Sequence, residues 1–277
     1  MKRRGIARTT AMAMAAAMIL TACGGGNTDQ STNAPAGGSA QTTTDNGGSG
    51  EITKTDIVVA QGADVVTLDP AGQQDTTSGV LIHHVYSTLM DIDDDGNLVP
   101  DLAESYENVD ESTWHFKIKE GVKFHNGDTM TADDVVASLQ WAQGFAEVNL
   151  YNKNFVSISK VDDSTVEIKT DGPDAMVLSN LCHHGNAIVP KKLIDEGHDF
   201  NEDPVGSGPY KLVEWKRGDS LTFEAFEDFY KGAPKIKNMT WKIIPEGSSR
   251  TIALEAGEID MIIEVEAMDG DRLKENS

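Results

Sequence analysis

Between Leu98 and Gln140 the spacing of hydrophobic and polar residues changes period along the chain. Trp114, Phe116 and Ile118 alternate with His115, Lys117 and Lys119, the period-two pattern of a strand with one buried face. Glu120-Gly121 predicts a turn, and Val122 and Phe124 a second short extended piece. Asn126-Gly127-Asp128 predicts another turn, with Gly127 supplying the positive φ. A helix is predicted next, over 131–143. Thr131 is placed as its N-cap, Asp133 and Asp134 lie in the first turn where the helix dipole favours anions, and Val135, Val136 and Leu139 recur at helical spacing.

The same reading extends along the chain. Asp56 to Gln61 (DIVVAQ) predicts a buried strand, Thr67-Leu68-Asp69-Pro70 a turn, and Ser78 to Met90 a helix carrying Val80, Leu81, Val85, Leu89 and Met90 on its apolar side. Val156 to Ser159 and Thr165 to Lys169 alternate as a hairpin across Asp162-Asp163. Pro173 opens a short helix over Asp174 to Leu181. Pro204-Val205-Gly206-Ser207-Gly208-Pro209-Tyr210 reads as a tight turn into a strand, and its spacing is not that of a hydrolase nucleophile elbow. Arg250 and Leu254 belong to a helix stopped at Ala256-Gly257-Glu258. Strands and helices alternate irregularly, which predicts an α/β fold with a mixed sheet.

The N-terminus carries a different pattern. Lys2, Arg3, Arg4 and Arg8 precede a short apolar run dominated by Ala and Met, so residues 1–22 read as an export signal too short to span a bilayer. Leu20-Thr21-Ala22-Cys23 resembles a lipobox, which makes Cys23 the expected lipidation site, with an ordinary secretory signal as the other reading. Residues 23–50 lack aromatic and large aliphatic side chains and are expected to form a disordered Gly/Ser/Thr-rich tether. A flexible chain of that length reaches roughly 30 Å.

Charge narrows the partners. The chain holds 23 basic and 45 acidic residues, four of the basic ones in the leader, so nucleic acid is a poor partner. With Cys23 assigned to lipid, Cys182 is the one remaining thiol and reads as a small buried hydrophobe. Asp91-x-Asp93-x-Asp95-Gly96 begins like an EF-hand loop, but Leu102 falls where that loop needs its acidic bidentate ligand, so an acidic β-turn is expected. No nucleophile, acid–base pair or phosphate loop occurs at motif spacing, which predicts a protein that is not an enzyme and needs no cofactor.

Several motifs carry a family resemblance: P-x-L-A-E-S-Y (Pro100 to Tyr106), W-H-F-K-I-K-E-G-V-K-F-H-N-G (Trp114 to Gly127), T-A-D-D-V-V-A-S (Thr131 to Ser138), V-D-D-S-T-V-E-I-K (Val161 to Lys169) and V-G-S-G-P-Y-K-L (Val205 to Leu212). The run continues through Leu221 to Ile236 and Trp241 to Met261. Together these resemble the family 5 extracellular solute-binding proteins, the dipeptide, oligopeptide and nickel receptors of bacterial ABC importers. The resemblance implies the first lobe of a two-lobed periplasmic-binding-protein-like fold (class II, cluster C type), with residues 51–260 as that lobe. Residues 261–277 would begin the crossing to a second lobe, and the chain is expected to be truncated.

The resemblance also implies cleft residues. The loop after Pro70 would place Gln73, Gln74, Asp75 and Thr76 in the cleft, although an ordinary surface loop fits those residues equally. Tyr151, His183, His184 and Asn186 are the other cleft candidates. The His83-His84 and His183-His184 pairs invite a metal reading, yet sequence neighbours rarely face one site and no H-x₃-H or H-E-x-x-H spacing occurs, so no metal site is assigned. The expected function is a lipid-anchored, extracytoplasmic component of an ABC importer that captures dipeptides or oligopeptides for a membrane permease and its ATPase. The alternatives are a receptor for nickel, another metal chelate or haem, and a peptide-sensing surface lipoprotein without a transport role.

Overall fold

The structure is a computed structural model and describes residues 54–275. The expected leader, Cys23 and the tether therefore lie outside the described residues. In chain order the elements are β1 (Asp56–Gln61), α1 (Thr76–Val85), β2 (Met90–Ile92), β3 (Leu98–Pro100), β4 (Ala103–Asp110) and β5 (Thr113–Ile118). Then come α2 (Ala132–Ala142), β6 (Phe155–Asp162), β7 (Thr165–Thr170), α3 (Val177–Asn180) and α4 (Lys191–Glu196). The last are β8 (Tyr210–Lys216), β9 (Ser220–Ala225), β10 (Asn238–Ile243), α5 (Gly247–Glu255), β11 (Met261–Ile262) and α6 (Ala267–Glu275). Among the described residues no helix is long and apolar enough to cross a membrane.

Two larger sheets organise the chain. A five-stranded sheet runs β11-β1-β10-β9-β8, and its β1 pairs in parallel with both β10 and β11 while the other pairings are antiparallel. This is the mixed sheet the sequence predicts. A four-stranded antiparallel sheet runs β4-β5-β7-β6, and β2 and β3 form a separate two-stranded ribbon. Two cores follow from the two sheets. Phe116, Ile118, Val166 and Ile168 on the four-stranded sheet pack with Val135 and Leu139 of α2. Val59, Leu221, Phe223, Met239 and Trp241 on the five-stranded sheet pack with Leu81, Ile82 and Val85 of α1. Burial at about 25 cal/mol per Å² of apolar surface makes such clusters the main source of cohesion.

Local chemistry explains most element ends. A capping box closes the start of α2: Thr131 N and Oγ1 donate to Asp134 Oδ2 at 2.8 and 2.7 Å. Asp93 Oδ1 accepts from the backbone N of Asp95 and Asn97 at 3.1 and 2.7 Å, and Gly96 takes φ 82°, so the Asp91–Gly96 motif is the β2–β3 turn it was expected to be.

Two predicted helices are shorter in the structure. The helix read as Ser78 to Met90 ends at Val85. Tyr86 turns extended, and Leu89 and Met90 point into the core of the other sheet, so their burial mimics a continuing helical face. The helix read as Asp174 to Leu181 keeps only Val177–Asn180, because Asp174 Oδ1 accepts from Met176 N at 2.8 Å and holds a turn where the helix would start.

Candidate functional site

The C-terminal ends of parallel strands are where crevices form in open α/β sheets, because the connections leave there in diverging directions. β1 and β11 end beside the start of α1, and a small crevice of about 110 Å³ opens between them, lined by Gln61, Gly62, Thr76, Val80, Ile263 and Glu264. Thr76 is thus the sequence candidate that faces this crevice. Gln74 is exposed, and Asp75 serves as the N-cap of α1, its Oδ1 accepting from Ser78 N at 3.0 Å.

Gln73, the next residue toward β1, turns the other way. It is 4% exposed, and its side-chain amide lies 3.0 Å from His184 Nε2. His184 in turn packs at 4.1 Å between ring centroids on His183, and His183 stacks on Tyr151 at 3.6 Å with 16° between the planes. His83, from the last turn of α1, meets His184 edge-on at 5.9 Å. These rings line a second depression of about 300 Å³ together with Ile92, Met176 and Asn180. Ile92 and Met176 are more than half exposed, so an apolar rim surrounds a polar aromatic wall.

The structure therefore gathers Gln73, Tyr151 and the adjacent His183 and His184, from three separate stretches of the chain, into one wall. His183 and His184 do face one site despite being neighbours, because the short 3-10 turn over His184–Asn186 lets both rings lie on the same side. His84 is the one of the four paired histidines that leaves the group, packing on Tyr210 and Trp241. Asn186 is buried behind the wall, accepting from Asn152 Nδ2 at 3.0 Å and donating to Asn180 O at 2.9 Å. It fastens the Tyr151 loop to the histidine turn. Among the described residues no group of His, Cys, Asp or Glu side chains is arranged to hold a metal ion.

Electrostatics keeps the wall neutral. Burial, reinforced by the neighbouring histidines, depresses the His183 imidazole to about 3 and the His184 imidazole to about 4. Neutral imidazoles offer stacking faces and single hydrogen bonds, not a cationic patch. Gln73 Oε1, Asn152 Oδ1 and Asp75 Oδ2 are buried acceptors with no donor among the described residues. Cys182 sits beside the wall, mostly buried, with its thiol pushed up to about 11 by burial and the Asp91 and Asp101 charges, so it is the inert small residue that was expected.

A third depression, of about 490 Å³, shares His83, Ile92 and Cys182 with the wall and continues to Asp101, Tyr230 and Lys231. Sequence reading passed over this triad. Tyr230 Oη donates to Asp101 Oδ1 at 2.6 Å, and Lys231 Nζ lies 2.6 Å from the same oxygen. Asp101 and Tyr230 stand far apart in sequence in otherwise ordinary turns, so only the fold shows the contact.

Residues 97–277 match the family described as bacterial extracellular solute-binding proteins, family 5 Middle. The chain belongs to this family. Its relatives are solute-binding proteins, not enzymes. The glutathione-binding protein GsiB of Escherichia coli (strain K12) is 33% identical over 210 residues, covering 73% of this chain and 41% of that protein. Among solved structures, the oligopeptide-binding protein AppA of Bacillus subtilis in complex with a nonapeptide is 31% identical with a TM-score of 0.72, over 78% of this chain and 45% of AppA. NikZ of Campylobacter jejuni in complex with Ni(L-His) is 28% identical with a TM-score of 0.67, over 75% of this chain and 43% of NikZ. The chain spans less than half the length of each of these relatives, and the fold it shares with them is the periplasmic-binding-protein-like mixed α/β fold.

Proposed function

We propose that this chain supplies one wall of the ligand cleft of an extracytoplasmic receptor that captures small peptides for an ABC importer. The observation that carries the reading is the wall itself: Tyr151, His183 and His184 brought together and electrically neutral, with Gln73 held against His184 behind them. A peptide suits such a surface. Its apolar side chains match the Ile92 and Met176 rim and the Tyr151–His183 stack. A strongly anionic ligand would find no compensating charge on neutral imidazoles.

In this reading Gln73, Gln74, Asp75, Thr76, Tyr151, His183 and His184 border the cleft, with Asn186 supporting them from behind. Residues 1–22 act as the export signal, Cys23 carries the lipid and residues 23–50 form the tether. Residues 51–260 form the first lobe and residues 261–277 begin the crossing to a second. Cleft closure would present the loaded receptor to a membrane permease driven by its ATPase.

The test is a thermal-shift screen of the full chain with glutathione, dipeptides, tripeptides and nickel, followed by calorimetry on whatever shifts it. Peptides are expected to raise the melting temperature, and the gain should shrink in Gln73→Ala and Tyr151→Ala. A shift with nickel alone, or with no probe, overturns the peptide reading. Lipidation is tested separately by palmitate labelling of the expressed precursor, which Cys23→Ser should abolish.

A further inference from the structure

Arg250 is 4% exposed and, among the described residues, no carboxylate pairs with it. A buried guanidinium is costly unless its donors are met, and here backbone carbonyls meet both terminal nitrogens, while Nε is left without a partner among the described residues. Nη1 donates to Ile244 O at 2.8 Å and to Pro245 O at 3.1 Å, and Nη2 donates to Glu264 O at 3.3 Å.

These acceptors are not scattered. Ile244 and Pro245 form the exit of β10, and Glu264 forms the exit of β11. Between them in the sheet lies β1, whose exit is Gly62, and a Cβ on Gly62 would stand 3.0 Å from Arg250 Nη1. One planar fork thus spans three adjacent strand ends, passing over a residue with no side chain. Gly62 and Glu264 both line the crevice beside α1.

We propose that Arg250 is the positioning residue of that crevice, holding the β11 exit in register with β1 and β10 and so fixing where Ile263 and Glu264 stand as its far wall. The neighbouring contacts show why this link matters. Past Glu264 the chain lies along α5: a Cβ on Gly247 would strike the Glu266 side chain, and Thr251 Oγ1 donates to Asp269 Oδ2 at 3.1 Å. Those contacts fix the chain to α5, whereas Arg250 fixes α5 and the chain to the sheet. β11 itself is only two residues long and pairs with β1 alone, so without the fork its exit depends on few hydrogen bonds, such as Ile263 N to Ala60 O at 3.1 Å.

The proposal rests on the ligand-cleft reading only for its functional consequence; the positioning itself is read in the protein without ligand. Hydrogen–deuterium exchange is measured on the full chain and on Arg250→Met, Arg250→Lys and Gly62→Ala. In Arg250→Met the Ile263 amide is expected to exchange about tenfold to a hundredfold faster, the factor that losing charged hydrogen bonds gives, while β8 and β9 amides stay as they were. Arg250→Lys should fall between, because a single ammonium cannot reproduce the fork, and Gly62→Ala should show a milder rise by displacing Nη1. An unchanged Ile263 amide, or a rise shared equally by β8 and β9, overturns the proposal. If Arg250→Met does not fold, Gly62→Ala and Arg250→Lys decide it by the same criterion. Glutathione titrated into the same proteins reads the consequence: binding weakened in the variants supports it, and absence of binding to the unaltered chain counts against the peptide reading while the exchange result stands.

Discussion

Tyr151 and His183 lie face to face, with 3.6 Å between ring centroids and 16° between planes. The stack joins the loop before β6 to the turn after α3, and it forms the centre of the wall that includes Gln73 and His184. Stacked aromatic contacts contribute about 0.5–1.5 kcal/mol beyond the area they bury. Tyr151→Ala is therefore expected to lower the stability of the fold by about 0.5–1.5 kcal/mol beyond the lost burial, read by urea unfolding. The ligand-free protein offers a direct check: the His183 ring protons should lose their ring-current shift in the NMR spectrum of the variant, and an unmoved resonance would sink the stack.

The same histidines make stability depend on pH. Burial holds His183 at about 3 and His184 at about 4, below the 6.5 of an exposed imidazole. The unfolded chain then binds more protons than the folded one between those values, so stability rises with pH across that interval. The contribution is fully present above about 6.5 and is lost as pH falls toward 4 and then 3. Melting temperature measured from pH 7 down to pH 4 should fall, and His184→Gln, which keeps a polar side chain but does not titrate, should flatten the fall. Equal slopes in the two proteins would contradict the assignment.

The period-two strands at Trp114–Ile118 and Thr165–Lys169, the Thr131 cap and the Asp93 turn were legible because each is settled by residues within a few positions of one another. The end of α1 was not, since Leu89 and Met90 are buried by the four-stranded sheet and not by the helix whose pattern they extend. The wall was half legible. Gln73, Tyr151, His183 and His184 were named as separate candidates, but the contacts among them depend on a turn over His184–Asn186 whose effect on ring direction no spacing rule gives. Arg250 was read as one residue of a helix, and its burial against the exits of β10 and β11 depends on strands that are neighbours only in the folded sheet.

Tyr230 tests the third depression. Its hydroxyl donates to Asp101, a residue 5% exposed, and burial together with the Asp101 charge pushes the phenol's pKa far up, so it stays a donor. Tyr230→Phe removes the donor and leaves the buried carboxylate with Lys231 as its remaining side-chain partner. Leaving a buried charged group short of a hydrogen bond costs about 1–3 kcal/mol. At roughly 2–4 °C per kcal/mol for a domain of this size, the variant should melt several degrees lower. A change within a degree would mean that solvent or Lys231 already satisfies Asp101.

Gly206 and Gly208 make the sharpest prediction, because what opposes a side chain there is backbone. A Cβ on Gly208 would stand 2.5 Å from the Val85 carbonyl carbon and 2.7 Å from His84 O, and one on Gly206 would stand 2.2 Å from Val85 O. Gly208 N also donates to Val85 O at 2.9 Å, so the loop is pressed against the end of α1 by a hydrogen bond that needs this closeness. A flexible side chain could swing away, but the last turn of a packed helix cannot. Gly208→Ala is thus expected to cost about 3 kcal/mol or more, through overpacking and loss of that bond. Gly172→Ala is the control, since nothing lies within 4 Å of its Cβ position and its φ is not positive. It should stay within about 0.5 kcal/mol of the unaltered chain. Urea unfolding of both proteins separates the two cases: similar midpoints would mean that the end of α1 yields, and that the glycines of this motif serve something other than the close approach of the loop to the helix.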